Sequence, residues 1–424
     1  MNNHNCAFTI VAKNYIGLAM ILEGSIKKYY TDLDFFIIVA DEPDSEMPEL
    51  PDNVIFAKDR LGIESRKWYE MAFKYDLTEF CTAIKPDSML YILSQGYEKV
   101  IYLDPDIYFF SSIAPIFESL NEHIVILTPH ITTMPVLGAT DSPERDWMKC
   151  GIYNLGFIGV TNNPKIIQML NWWKDRLRDG CFIDDKEGQY TDQKWMDFIP
   201  AFFDDSELFI TKHLGMNFAP WNFFERIVNV ENGKFVVSYR QCIKDFKYPL
   251  MFVHFSGYDY KLLKSGINRQ KNIECLQNYN DINSVITEYS QAIKDKQAVF
   301  DLTIENSYTY NYFEDGKTIH PYHRRLYRSY LLHSKIDNPF KCCSYFYKLL
   351  SNKRLLKYKY DSNAKILKKD YKNLSSKLKK INIAFRILYL LLGPSKYFLF
   401  LRFLRSYSRP ESQLHILESQ LMMK

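Results

Sequence analysis

Through the first 260 residues, short apolar runs alternate with segments whose apolar residues recur every three or four positions. That rhythm predicts an α/β fold with a mostly parallel sheet. Strands are predicted at 8–12, 35–40, 54–57, 100–103, 124–127, 153–160, 235–238 and 251–255. Between the first two, Leu18, Leu22, Ser25, Ile26 and Tyr29 fall on one face of a helix predicted over 16–30, directly after a loop at Lys13-Asn14-Tyr15. Further helices are predicted over 164–178 and 192–200, the second with Thr191 as its N-cap. The segment 41–51 carries three prolines and five acidic residues and reads as a solvated loop. Beyond about residue 265 the strand signals fade. The expected organisation is an α/β domain over 1–265, a helical or irregular extension over 266–340, and a basic amphipathic helical tail over 341–424.

Composition adds compartment and partners. A chain of 424 residues with 47% apolar content can bury a large core. Its eight cysteines show neither C-x-x-C nor His/Cys spacing, so neither a zinc site nor a disulfide framework is indicated and a reducing cytoplasm is expected. No basic n-region precedes the first strand, so no signal peptide is expected. Charge is unevenly placed: residues 341–424 hold 19 Lys and Arg against 4 Asp and Glu, a net +15 in a chain of net +4, which leaves −11 on the first 340. Such a tail seeks an anionic surface. The aliphatic and aromatic runs 381–392 and 396–404 exceed what phosphate binding needs, which points to membrane rather than nucleic acid. Arg386, Gly393-Pro394, Lys396 and Arg402 interrupt the roughly 20 apolar residues a span requires. The expectation is a peripheral, interfacial helix on the inner face of the plasma membrane, with a helical pair packed on protein as the alternative.

The chemistry concentrates where strands end. The run Val100-Ile101-Tyr102-Leu103 is apolar enough for a buried strand and stops at Asp104-Pro105-Asp106. Two carboxylates at i and i+2 at the carboxyl end of such a strand suit a hard divalent cation shared with diphosphate oxygens. Alone, an Asp-Pro-Asp is more often a solvated turn. His254, at the end of another predicted strand and followed by Phe-Ser-Gly257, suits a third metal ligand beside a phosphate-binding turn, and equally a satisfied core histidine. In Asn154-Leu155-Gly156 the glycine suggests backbone held close to a ligand. Asp192-Gln193 places a carboxylate and an amide on one first helical turn, suited to gripping hydroxyls. Trp221 lies in a predicted loop and could stack on a sugar, whereas Trp172 and Trp195 sit in helical patterns that favour the core.

In chain order, Asn14-Tyr15, Lys85, Asp104-Pro105-Asp106, Asn154 to Gly156, Asp192-Gln193 and His254-Phe-Ser-Gly257 together resemble the retaining GT-A glycosyltransferases, which include bacterial lipo-oligosaccharide galactosyltransferases and glycogenin. The resemblance covers roughly residues 6–262. It implies a Rossmann-like GT-A domain in which Asp104, Asp106 and His254 hold Mn²⁺ or Mg²⁺ against the diphosphate of a nucleotide sugar, a UDP-sugar in this family. Tyr15 would stack on the base with Asn14 nearby. Lys85, Asn154 and Asp192 would line the donor sugar. Gly257 and Lys261 would lie at the diphosphate, and Gln193 would face the anomeric carbon. An amide there is a poor nucleophile, so front-face attack by a glycan or glycolipid acceptor, with retention, is implied. Two stretches depart from the family pattern: Ala12-Lys13 replaces an acidic pair, and Tyr258-Asp-Tyr-Lys261 replaces a Lys-Pro-Trp. A haloacid-dehalogenase-type phosphatase also opens on a strand ending in Asp-x-Asp, but its motif stands near the start of its domain. A non-catalytic nucleotide-sugar or membrane-binding protein is the remaining alternative.

Overall fold

A computed structural model describes residues 4–44, 47, 49–136, 138, 144–241, 246–273, 276–296, 300–301, 306–357 and 374–417. Ten strands occupy the first half: β1 (Asn5–Val11), β2 (Asp34–Val39), β3 (Val54–Phe56), β4 (Lys99–Leu103), β5 (Ile107–Phe109), β6 (Val125–Pro129), β7 (Tyr153–Thr161), β8 (Ile183–Asp184), β9 (Gln189–Tyr190) and β10 (Leu208–Ile210). Seven of them form one sheet in the order β10-β6-β7-β4-β1-β2-β3. β1 runs parallel to both β2 and β4, and β7 lies antiparallel between β4 and β6. This is the mixed, mostly parallel sheet of a GT-A-like α/β fold. β1 and β7 are buried along nearly their whole length, which is why they read as unbroken apolar runs.

The chain divides into two units, Met1–Ile63 with Leu77–Thr309, and Glu64–Asp76 with Tyr310–Lys424. Residues 266–309 therefore belong to the sheet-bearing unit. There the helix Asn283–Asp295 buries Val285, Tyr289 and Ile293 in a core shared with Phe255 and Tyr108. Tyr289 stacks on Phe255 at 4.1 Å. Four later strands complete this unit: β11 (Arg226–Glu231), β12 (Lys234–Tyr239), β13 (Tyr248–Pro249) and β14 (Phe252–His254). The first three make a small antiparallel sheet, and β14 pairs antiparallel with β5.

In the second unit the helix Ser65–Lys74 is surrounded by later sequence. Phe73 contacts the rings of Phe313, Tyr327, Phe340 and Phe346, and Trp68 Nε1 donates to the Tyr310 hydroxyl at 2.6 Å. Arg324, from the helix Pro321–Tyr330, donates to the carbonyls of Ala72, Phe73, Tyr75 and Tyr310 and to Asn311 Oδ1. The basic cluster around Arg324 is thus a cap on a helix C-terminus, satisfying carbonyls that the helix itself leaves open.

Three local expectations need correction. Thr191 does not cap an α-helix: it has φ 46°, and Gln193–Phe198 is a 3₁₀ helix entered from Asp192. Asp41 is not solvated but fully buried, with Oδ1 accepting from the backbone of Glu42 and Thr309. Burial pushes its carboxyl up to about 6. Ser45, Glu46 and Pro48 of that loop lie outside the described residues, as do 358–373 and 418–424 of the tail. The tail's Leu374–Tyr407 is helical but broken at Gly393 (φ 70°, ψ 166°), just before Pro394. Within it, Ser375–Arg405 is long and apolar enough to cross a membrane. Tyr397 nevertheless touches Tyr389 and Phe385 across the break, at 5.3 and 6.5 Å, so the two arms fold toward each other.

Candidate active site

The metal-site residues meet because of one strand pairing. After β4, Asp104 accepts from Ile107 N at 3.1 Å, closing a β-turn with Pro105 at its second position. The chain re-emerges as β5, whose partner β14 sets His254 opposite Ile107. A residue 148 positions after Asp106 is thereby brought beside it. His254 Nε2 lies 3.0 Å from Asp106 Oδ1 and 3.6 Å from Asp104 Oδ2. Its other nitrogen, Nδ1, faces Asn154 Oδ1 at 3.2 Å. That oxygen can only accept, so Nδ1 carries a proton and Nε2 is turned to the carboxylates. Gly156 makes room: a Cβ there would stand 2.4 Å from His254 Cε1. The glycine is opposed to the histidine and also lines the cleft described below.

Three ligand atoms, one from each of Asp104, Asp106 and His254, lie within 4.8 Å of one another and could hold a metal ion. Two carboxylate oxygens and one imidazole nitrogen suit a hard to borderline divalent cation. The electrostatics agree. Burial works to raise both carboxyl groups and prevails at Asp104, whereas at Asp106 the His254 imidazole outweighs it and holds the carboxyl low. Burial would lower His254, but Asp106 outweighs it and raises the imidazole.

The cluster opens into a cleft of about 600 Å³ that also receives Lys85, Asn154, Asp192 and Gln193. Lys85, 1% exposed, pairs with Asp192 Oδ2, donates to Leu155 O at 2.8 Å and lies 4.0 Å over the Tyr102 ring. Gln193 Nε2 donates to Cys150 O at 2.8 Å. The strained Thr191 immediately precedes this pair, as backbone strain often does at working sites.

The same cleft is lined by Trp147, Trp221 and His130. Trp221 stands edge to face with His254 at 5.1 Å and with His130 at 5.4 Å. Trp147 stacks on Phe224. The backbone N–H and Nδ1 of His130 both point at Ile152 O, so Nδ1 is the donor and Nε2 keeps its lone pair. Burial pushes the His130 imidazole down to about 4, leaving it neutral at pH 7. Trp172 and Trp195 pack against each other but are only half-buried, outside the core their helical pattern suggested.

Four predicted positions stand outside the cleft lining. Tyr15 meets Tyr260 edge to face at 6.3 Å. Asn14 Oδ1 is buried without a hydrogen-bond partner. Gly257, at φ 77°, forms a turn against Asn272, and Lys261 is exposed on the helix Tyr260–Lys264. Lys13, in place of the family's acidic residue, is buried and donates to Asp44 Oδ1 at 2.6 Å and Thr309 Oγ1 at 2.9 Å. Sequence reasoning missed His130 and Trp147, which carry no periodic or motif signal. It also missed Tyr102, although that residue shares a strand face with Asp104.

Residues 64–259 match the family model of nucleotide-diphospho-sugar transferases. The match takes in a little under half of the chain and supports a glycosyltransferase, which a nucleotide-sugar donor fits, over the phosphatase reading. Among curated proteins, the transferase is 26% identical over 255 residues to the uncharacterized protein YfnF of Bacillus subtilis, covering 59% of this chain and 80% of that one. It is 23% identical over 256 residues to YfnD of the same organism, covering 59% and 76%. Among solved structures it is similar to the galactosyltransferase LgtC in complex with donor and acceptor sugar analogs, at 15% identity and TM-score 0.39, covering 69% of this chain and 99% of that one. It is also similar to the glycosyltransferase GlyE of Streptococcus pneumoniae, at 14% identity and TM-score 0.37, covering 74% and 67%.

Proposed function

We propose that the transferase uses Mn²⁺ or Mg²⁺ and a UDP-sugar, and transfers the sugar with retention to a glycan or glycolipid at the cytoplasmic face of a membrane. The observation that carries this reading is the convergence of Asp104, Asp106 and His254 at one end of a cleft that holds Asp192, Lys85 and Gln193. A divalent cation bound to that cluster would neutralise charge growing on the departing diphosphate. Asp192, oriented by Lys85 and by the Leu155 carbonyl beyond it, has one carboxylate face for sugar hydroxyls. Asn154 combines two tasks, holding His254 and bordering the same space. Gln193 supplies an amide where a covalent route would need a stronger nucleophile, so the acceptor hydroxyl attacks from the leaving-group side and loses its proton to the diphosphate. Tyr15 stacks on the base, with Asn14 beside it. Gly257 and Lys261 border the diphosphate. Trp221 and Trp147, with the His130 Nε2 acceptor, favour a pyranose as acceptor.

The test is a panel of nucleotide sugars incubated without acceptor. One UDP-sugar should be hydrolysed only with Mn²⁺ or Mg²⁺ and spared by chelator, and the transferred sugar should keep its anomeric configuration. Hydrolysis indifferent to metal would remove the metal from the proposal, and an inverted product would remove the front-face course.

Membrane attachment is supported by the broken helix Leu374–Tyr407, which has seven Lys and Arg and no acidic residue. Leu390 and Leu391 are 72% and 78% exposed. Full-length protein should sediment with vesicles containing anionic phospholipid, and Leu390→Glu with Leu391→Glu should lose that association. Equal sedimentation of both proteins would exclude the helix as the anchor.

A further inference from the structure

Each aspartate of the cluster carries a tyrosine hydroxyl on the oxygen turned away from His254. The Tyr102 hydroxyl donates to Asp104 Oδ1 at 2.6 Å, and the Tyr260 hydroxyl donates to Asp106 Oδ2 at 3.0 Å. The remaining oxygens, Asp104 Oδ2 and Asp106 Oδ1, are the two that face His254 Nε2. A carboxylate rotates broadly about its terminal torsion and can offer a cation either oxygen or both. A phenol proton fixed on one oxygen selects the other.

We propose that Tyr102 and Tyr260 are positioning residues that make Asp104 and Asp106 one-oxygen ligands, aimed with His254 Nε2 at a single divalent cation. The proposal rests on the metal reading above and adds the device that shapes the site. Both tyrosines are themselves held. Tyr102 is two residues before Asp104 on β4, hence on the same face; Lys85 sits 4.0 Å over its ring, and Phe8 packs edge to face at 5.2 Å. Tyr260 is the first residue of the helix Tyr260–Lys264, whose start is capped by the Asp259 carboxylate accepting from Leu262 N. Its ring meets Tyr15, and its hydroxyl also lies 3.0 Å from Phe255 O, so its proton is shared between two acceptors. With Asn154 on His254 Nδ1, every ligand of the cluster has one partner behind it. Three one-atom ligands leave about three positions of an octahedron for diphosphate oxygens and water, whereas two-oxygen binding by either aspartate would take one of them.

Tyr102→Phe and Tyr260→Phe each delete one hydroxyl and keep the ring, including the contact with Lys85. Mn²⁺ binding to the full-length, nucleotide-free protein, followed by electron paramagnetic resonance, should weaken about 10- to 100-fold in each. The visible spectrum of the Co²⁺ form should also change, a readout that a loss of packing alone would not move. The melting temperature of the metal-free proteins provides the control for folding. Wild-type Mn²⁺ affinity and an unchanged Co²⁺ spectrum in both variants would overturn the positioning role. If the unsubstituted protein binds no divalent cation while Asp104→Ala behaves identically, the metal reading itself fails and takes this proposal with it.

Discussion

Asp104→Ala and Asp106→Ala proteins should fold normally and lose donor turnover by on the order of 10³-fold or more. The magnitude follows from the several kcal/mol that a bound cation contributes to a leaving group's developing charge, each 1.36 kcal/mol being tenfold in rate. Folding should survive because both side chains stand at the cleft edge, 29% and 18% exposed, and each removal relieves repulsion between neighbouring carboxylates. Turnover of the hydrolysed nucleotide sugar at saturating Mn²⁺ is the measurement, with thermal melting alongside. Near-normal, metal-dependent turnover in either protein would refute the assignment of the cluster. His254 should not rescue either variant, since one imidazole cannot replace the charge that offsets the cation.

The largest expected effect on stability lies elsewhere. Arg324→Ala should destabilise the second unit by about 3–5 kcal/mol, because it removes a buried cation's worth of hydrogen bonds and leaves several carbonyls unsatisfied. The residue is 3% exposed and serves the C-terminus of the helix Ser65–Lys74 and the Tyr310 turn together. Urea denaturation followed by tryptophan fluorescence would read it, Trp68 being buried in that unit. Arg324→Lys should recover only part of the loss, since an ammonium has three donors and no planar fork. An unchanged midpoint in Arg324→Ala would contradict the capping role.

Much of the sheet was legible in the amino-acid sequence because buried parallel strands are uninterrupted apolar runs: each of the eight predicted strands is present within a few residues. Short strands such as β5 escaped, since Ile107-Tyr-Phe109 is only three residues long and follows directly on Asp104-Pro105-Asp106. Yet β5 is the element that delivers His254 to the aspartates. The metal ligands themselves could be read as types of residue at strand ends, but their company could not. Tyr260 reaches the cluster only through tertiary packing, which leaves no periodicity to read, and Asn154 and Trp221, read in sequence as sugar-facing residues, carried no sign of their contact with His254. Asp41 misled for the opposite reason: a loop rich in acid and proline is usually solvated, and only the fold places this one carboxylate against the Thr309 backbone. Likewise, the basic residues at 324 and 325 are open in sequence to acceptor binding or a helical cap, and the carbonyls they satisfy become visible only once the helix Ser65–Lys74 is in place.

That helix also imposes an order on the protein's synthesis. It leaves the ribosome roughly 230 residues ahead of Tyr310, a delay on the order of 10–50 s at typical elongation rates of 5–20 residues per second. During that interval Trp68 and Phe73, both wholly enclosed in the finished molecule, have none of their later partners. The sheet-bearing unit must therefore complete its own packing around an unfinished loop, and a chain halted near residue 309 would display a sticky aromatic segment instead of a separable catalytic domain. Removing residues 310–424 is thus a way to make an aggregating protein, and adjustments to the C-terminal end are better made by substitution within the broken helix.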